Sequence, residues 1–253
     1  MLSKEIKDIL RPAKQSIQSL IFRLSLPIKR LLKLPLKEFR FNYFSQNGED
    51  GVVEEIFRRL KINSGWMVEF GAWDGKYTSN TFHFLKTHPE MHAVYIEGDK
   101  KRYDDLLETT SLMHGQILPI NAYVTPGGNN SLDNLLGKTL VPVDFDLLSI
   151  DVDSIDYQIW EGFRMYTPKV VIIEIHSSIP LGVEYVHDGK TKWHTSFESM
   201  RKLGNKKGYS CVHHRGNMFF VRNDLLKNIG MYDLTEQKQN LFFAQKGSIY
   251  RNM

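Results

Sequence analysis

Apolar residues in this chain fall into short runs bounded by glycine, proline or charge, and stretches with helical spacing separate the runs. The runs read as strands at residues 66–70, 92–97, 117–124, 145–151 and 169–176. The last contains VVIIEI, apolar enough to be buried on both faces of a sheet. Helices are expected over about 48–61, 79–87, 100–108, 156–164 and 197–206. Glu49, Asp50, Glu54 and Glu55 favour the start of the first, and Arg58, Arg59 and Lys61 favour its end. Pro89 stops the second, and TPGGNNS (125–131) reads as a loop. Residues 209–214 and 217–222, joined through Arg215-Gly216, read as an antiparallel pair closing the sheet. Strands alternating with helices give an α/β class with a doubly wound, mostly parallel sheet and right-handed crossovers. Ligands in such sheets bind beyond the carboxyl ends of the strands. Glu69, Glu97, Asp151 and Glu174 all fall at those ends.

The segment before the first of these helices has another pattern. Leu2, Ile6, Ile9, Leu10, Ala13, Ile17, Leu20, Ile21 and Leu24 recur at helical spacing and form one apolar face, and Pro27 and Pro35 interrupt the stretch LPIKRLLKLPLKEF after it. Residues 1–40 carry ten Lys or Arg against three acids, a net +7, so the chain's +4 leaves −3 for residues 41–253. The chain therefore divides into a basic amphipathic arm, 1–40, and a mildly acidic domain, 41–253. An acidic body argues against a nucleic-acid groove across the domain. The arm suits packing on the domain or on a second subunit, which would make a homo-oligomer. It also suits peripheral contact with an anionic membrane surface. One cysteine, Cys211, excludes an internal disulfide framework and a cysteine-based metal cluster. With no membrane-spanning run and no cleavable leader, the expected location is cytoplasmic, or the inner face of the membrane.

The chemistry starts at MVEFGAWDG, residues 67–75. A strand runs into Glu69 and a turn bracketed by Gly71 and Gly75, whose backbone can approach a ligand closely. The spacing fits neither a Walker A loop nor the G-x-G-x-x-G fingerprint. Glu97 ends the second strand, where a carboxylate can accept hydrogen bonds from ribose hydroxyls. Acids beside the glycine turn would repel a pyrophosphate. They suit the ammonium and sulfonium of S-adenosylmethionine.

SIDVD (149–153) and EIH (174–176) end what should be neighbouring strands. In extended chain Asp151 and Asp153 share a side, as do Glu174 and His176. Asp151, Asp153 and His176 form a candidate divalent-metal set of the Mg or Mn kind. His176, Asp151 or Asp153 could instead act as general base. The polar segment 179–196 comes directly after and should arch over the site. It offers His187, Trp193 and His194, with Glu174 beside them, as substrate contacts. His213 and His214 lie in a strand pattern and read as structural. FSQNGEDG (44–51) reads as a helix cap through Ser45 or Asn47, and leaves Gln46 and Asp50 without another role.

In this order, FSQNGEDG (44–51), VEFGAWDG (68–75), YIEGD (95–99), LLSIDVDSIDYQIWEG (147–162), VVIIEIHSS (170–178) and the stretch 196–222 resemble the FkbM-type S-adenosylmethionine-dependent methyltransferases. The resemblance covers about residues 41–223. It implies a Rossmann-like methyltransferase sheet and methyl transfer from sulfonium to oxygen. It places Glu69, Gly71 and Gly75 at the methionine end of the cofactor and Glu97 at the ribose. Asn121 falls near the adenine, and Gln46 and Asp50 join the cofactor set. It also implies a divalent cation on Asp151, Asp153 and His176, although many members read IDVEG where this chain has Asp153-Ser154. The acceptor it implies is a sugar hydroxyl, free or nucleotide-linked, of a bacterial capsule or other surface polysaccharide. The competing reading is a non-catalytic nucleoside-binding or membrane-adaptor protein on the same fold.

Overall fold

The computed structural model describes residues 4–111, 113, 116–152, 154–188 and 194–230, without the side chains of 4–15. The parallel strands are β1 (Gly65–Phe70), β2 (Met91–Glu97), β3 (Ile117–Asn121), β4 (Leu147–Ile150) and β5 (Val170–Glu174). An antiparallel hairpin, β6 (Tyr209–Arg215) and β7 (Asn217–Arg222), comes last. The seven strands are ordered β3-β2-β1-β4-β5-β7-β6, and β7 runs antiparallel to both of its neighbours. The order reverses at β1 and β4, which is where a doubly wound sheet opens a crevice above its strand ends.

Alternation along the strands builds two cores. Val68, Phe70, Val94, Ile96, Leu148, Ile150, Val171 and Ile173 point to one face. There they meet α5 (Leu132–Leu136), α6 (Asp156–Gly162) and α7 (Phe197–Lys206) through Leu136, Trp160 and Met200. Met67, Ala93, Tyr95, Leu147, Val170 and Ile172 point to the other face. They meet α2 (Glu49–Leu60), α3 (Phe82–Thr87) and α4 (Lys100–Ser111) through Ile56, Phe84 and Leu106.

Several boundaries differ from the sequence pattern, each for a local reason. α3 begins at Phe82 rather than near 79, because residues 79–81 wrap a buried carboxylate instead. β3 stops at Asn121, whose amide turns to bond the carbonyl of Glu97. α5 was not expected; Ser131 caps it by accepting from the N–H of Asn134. β5 ends at Glu174, so His176 lies in the loop beyond it.

The arm also differs. α1 (Lys4–Leu31) runs through Pro27 without stopping. Proline deprives the residue four positions earlier of a donor; here that is Arg23, on an exposed part of the helix. Pro35 does end the arm, and a 3-10 turn, Leu36–Phe39, comes next. Phe22 and Leu26 dock on Phe39, with Leu34 and Phe41 alongside. The face expected to pack, Ile17, Leu20, Ile21 and Leu24, is exposed. Among the described residues no helix is long and apolar enough to cross a membrane.

Candidate functional site

The register across the sheet puts Tyr95, Glu69 and Ser149 in one row, one residue short of the ends of β1 and β4. All three side chains are buried. Glu69 accepts from the hydroxyls of Ser79 (2.7 Å) and Thr81 and from the backbone N–H of Asn80 (3.0 Å). Thr81 also bonds the Tyr95 hydroxyl at 2.6 Å, and the Asn80 amide donates to Ser149 Oγ at 3.0 Å. Burial raises the Glu69 carboxyl above its ordinary value, and the bonds from Thr81, Asn80 and Ser79 oppose that rise. Glu69 thus organises a polar floor between β1, β2 and β4.

Asp50 sits on the same side, in the first turn of α2. Its Oδ2 accepts from the N–H groups of Tyr43 (2.7 Å), Phe44 (2.7 Å) and Ser45 (2.9 Å). Ser45 Oγ in return accepts from the Asp50 N–H at 3.1 Å, but the capping position is Gly48, without a side-chain cap, rather than the expected Ser45 or Asn47. Asp50 is fully buried, and its Oδ1 has no hydrogen-bond partner. Asp50 lies near enough to Glu69 to disfavour ionisation there. A buried carboxyl oxygen with no hydrogen-bond partner is costly unless a ligand donor satisfies it. Glu49 points elsewhere and joins Asn47 to Asn217. The carbonyl of Gln46 accepts from Asn42, which fixes the loop.

The glycine turn is anchored by Glu97. Its two oxygens accept from the N–H of Trp73 (2.9 Å) and of Asp99 (2.8 Å). A carboxylate has about four acceptor positions, so two remain for a ligand. Gly71 has φ +73°, and a Cβ there would lie 1.7 Å from the carbonyl oxygen of Asp151. The turn therefore packs directly on the end of β4. Gly75 also has a positive φ, but a Cβ there would strike Leu106 and Tyr95. Its need is packing under α4. Asn121 is exposed; its amide holds the ends of β2 and β3 together through the Glu97 carbonyl, at 2.8 Å. Trp73 and Tyr123, both exposed, flank this end of the sheet.

Beyond β4 and β5 lies a second group. Asp151 and Glu174 come directly after the paired Ile150 and Ile173. Glu174 Oε2 lies 3.2 Å from His194 Nδ1, and the His194 ring stacks near His176 with centroids 6.3 Å apart. Burial, and then the neighbouring His194, lower the His176 pKa below its ordinary value. His176 is therefore neutral near pH 7. Asp156, which the sequence did not single out, is buried and accepts from the N–H groups of Val152 and Ser154. It shapes the loop after β4. His187 is buried, with its N–H on Thr195 Oγ1 and its carbonyl on Gln158. It belongs to the segment expected to arch over the site, and its burial takes its side chain out of solvent. Asp153 and Trp193 fall outside the described residues. Among the described residues no three His, Cys, Asp or Glu side chains form a metal-binding group. Of the expected cation set, Asp151 and His176 are among the described residues.

The structure thus assembles Asp50, Glu69, Glu97 and the Gly71 turn at one end of the sheet crevice. Glu174, His176 and His194 stand at the ends of the next strands. The sequence reading missed Ser79, Asn80, Thr81 and Tyr95. The hydroxyl-rich TSNT before an apolar helix was the available signal.

The fold has known counterparts. A Staphylococcus aureus protein assigned as a caffeoyl-CoA O-methyltransferase superposes with a TM-score of 0.51 at 12% identity, over 87% of this chain and 98% of that one. The CMeT domain of the citrinin polyketide synthase superposes at 0.48 and 9% identity, over 71% and 54%. TrmK of M. capricolum, in complex with S-adenosyl-homocysteine, gives 0.42 and 13%, over 77% and 87%. No protein-family model and no curated protein matches the chain. At such identities the likeness speaks to architecture alone: the chain has the seven-stranded, Rossmann-like sheet of the methyltransferase fold.

Proposed function

We propose that the chain is an S-adenosylmethionine-dependent O-methyltransferase of the FkbM type, acting on a hydroxyl of a small polar acceptor. The observation that carries this reading is the pair of buried acids, Asp50 and Glu69, with the bare Oδ1 of Asp50. A ligand ammonium there would satisfy the oxygen and offset the effect of Asp50 on Glu69. Glu97 would take the ribose hydroxyls, with Trp73 and Tyr123 flanking the base. When bound, the cofactor supplies an electrophilic methyl group on a positive sulfur.

The chain's own part in the reaction is to take a proton. Neutral His176 is the candidate general base, with Glu174 holding His194 beside it. Such a base contributes about 10²–10⁴ in rate. The polar, histidine-bearing surroundings suit a sugar, free or nucleotide-linked, of a capsule or other surface polysaccharide.

Calorimetry with S-adenosylmethionine and S-adenosylhomocysteine tests the reading. Binding of both in the micromolar range is expected, and no binding at millimolar ligand overturns it. His176→Gln should lower turnover about 10²-fold or more with cofactor affinity unchanged. Because His176 titrates below the ordinary 6.5, activity should persist to lower pH than a free imidazole allows. His194→Gln removes a neighbour that lowers this pKa, so the acid limb of the rate profile should move to higher pH. An acid limb unmoved in that variant, or unchanged turnover in His176→Gln, removes His176 from the role.

A further inference from the structure

The arm carries two apolar surfaces, and the domain uses one of them. Phe22 and Leu26 face inward to Phe39. On the opposite side Ile17, Leu20, Ile21, Leu24 and Ile28 are each 58% to 68% exposed, and Leu31 is 81% exposed. Their spacing of three and four makes one continuous stripe along the helix. The 28-residue α1 is about 42 Å long at ~1.5 Å per residue. The sequence carries the same pattern back through Ile6, Ile9, Leu10 and Ala13, with Lys4, Lys7, Arg11 and Lys14 interleaved.

The geometry points to α1 as an in-plane anchor that lies on an anionic lipid surface. Three observations favour lipid over a second copy of the chain. The first is charge. Residues 1–40 carry a net +7; pairing two arms along their stripes would bring both charges together, whereas acidic headgroups complement them. The second is shape. A single wide stripe opposite the docked face lets the helix enter the headgroup layer while the domain stays outside. The third is a groove of about 490 Å³ beside the stripe, open to solvent. Ile21, Phe22 and Phe41 give it apolar walls, and Lys29 stands at its lining with its ammonium over the Phe22 ring. An apolar slot next to a cation fits the upper part of an acyl chain below an anionic headgroup.

Flotation of the full chain with vesicles tests this. Vesicles of phosphatidylcholine with about one third phosphatidylglycerol should carry the protein up, pure phosphatidylcholine should not, and added salt should weaken the binding. The double variant Ile21→Glu, Leu24→Glu should lose at least about tenfold in partitioning, since it charges the stripe and leaves Phe22 and Leu26 docked. Circular dichroism and cofactor calorimetry of that variant report folding independently, and both should match the parent. No flotation with anionic vesicles overturns the proposal, as does flotation unaffected by the double variant. A dimer of the parent by light scattering that becomes a monomer in the variant also overturns it, in favour of a second copy.

Discussion

Individual side chains decide whether the crevice is a cofactor site or only a well-packed sheet end. Asp50→Asn separates the two roles of that carboxyl. The amide oxygen can still accept from Tyr43, Phe44 and Ser45, while the other position becomes a donor. Stability should change little. Affinity for S-adenosylmethionine should fall about tenfold to a hundredfold, the ~1.5–3 kcal/mol of a hydrogen bond to a charged group. Calorimetry on the folded variant measures it, and an unchanged affinity removes Asp50 from the site. Gly71→Ala tests the turn differently. The new methyl would sit 1.7 Å from the Asp151 oxygen on a backbone of φ +73°. A loss of about 2–5 kcal/mol in urea unfolding is expected, from strain and overpacking together. Glu69 and Glu97 were legible from sequence because a polar residue ending an apolar run marks the mouth of a parallel sheet. The partners of Glu69 were not legible. A hydroxyl's bond depends on what the fold brings within hydrogen-bonding reach, and no periodicity encodes that. The wrap of Ser79–Thr81 around a carboxylate read simply as the first turn of a helix.

Elements were the most legible level, because burial on both faces forces the strands into apolar runs and the helices into amphipathic spacing. The antiparallel β6–β7 hairpin was legible from its Gly216 turn. It also stores a response to acid. His213 and His214 are buried within it, and burial pushes their pKa values down to about 3 and about 4, from 6.5. The unfolded chain therefore binds more protons than the native one between pH 6.5 and about 4. Stability should fall as pH drops through that window, by up to about 1.4 kcal/mol per pH unit for each histidine. The buried carboxyls of Glu49, Glu69 and Asp156, all raised by burial, slope the other way above their ordinary values. The histidines are therefore read from a difference. His213→Phe should flatten the urea midpoint against pH relative to the parent, and an unchanged slope would contradict the burial argument. α5 escaped the pattern because burial of Leu132, Leu135 and Leu136 overrides local propensity, and α1 runs through Pro27 because the carbonyl left without a donor lies on an exposed part of the helix.

At the scale of the molecule the sequence boundary at residue 40 and the packing boundary differ. Charge divides the chain at about 40, since the net charge is +7 before that point and −3 after it. Packing divides it near Leu34. Leu36 and Phe39 are almost wholly buried, Leu36 in the core shared with α2 and Phe39 under Phe22 and Leu26. Glu55, itself buried, gathers Arg30 of the arm with Arg58 and Arg59 of its own helix. Arg59 then donates to the carbonyls of Leu34 and Ile229, which ties the connector to the turn after β7. A chain beginning at Leu34 gives up Arg30 and the cover of Phe22 and Leu26 over Phe39, but keeps two other partners for Glu55 and Leu36 in the core. A chain beginning at Phe41 loses Leu36 and Phe39, each worth about 1.5–3 kcal/mol when fully buried. That is a large share of the ~5–15 kcal/mol that holds a domain together. The first should melt somewhat below the full chain, because Phe39 is uncovered, and bind S-adenosylmethionine with the same affinity. The second should melt several degrees or more lower, or fail to fold. Thermal melts of the two, with calorimetry on whichever folds, decide it. Equal melting would mean that the connector is only a tether, and that the domain begins where the charge pattern places it.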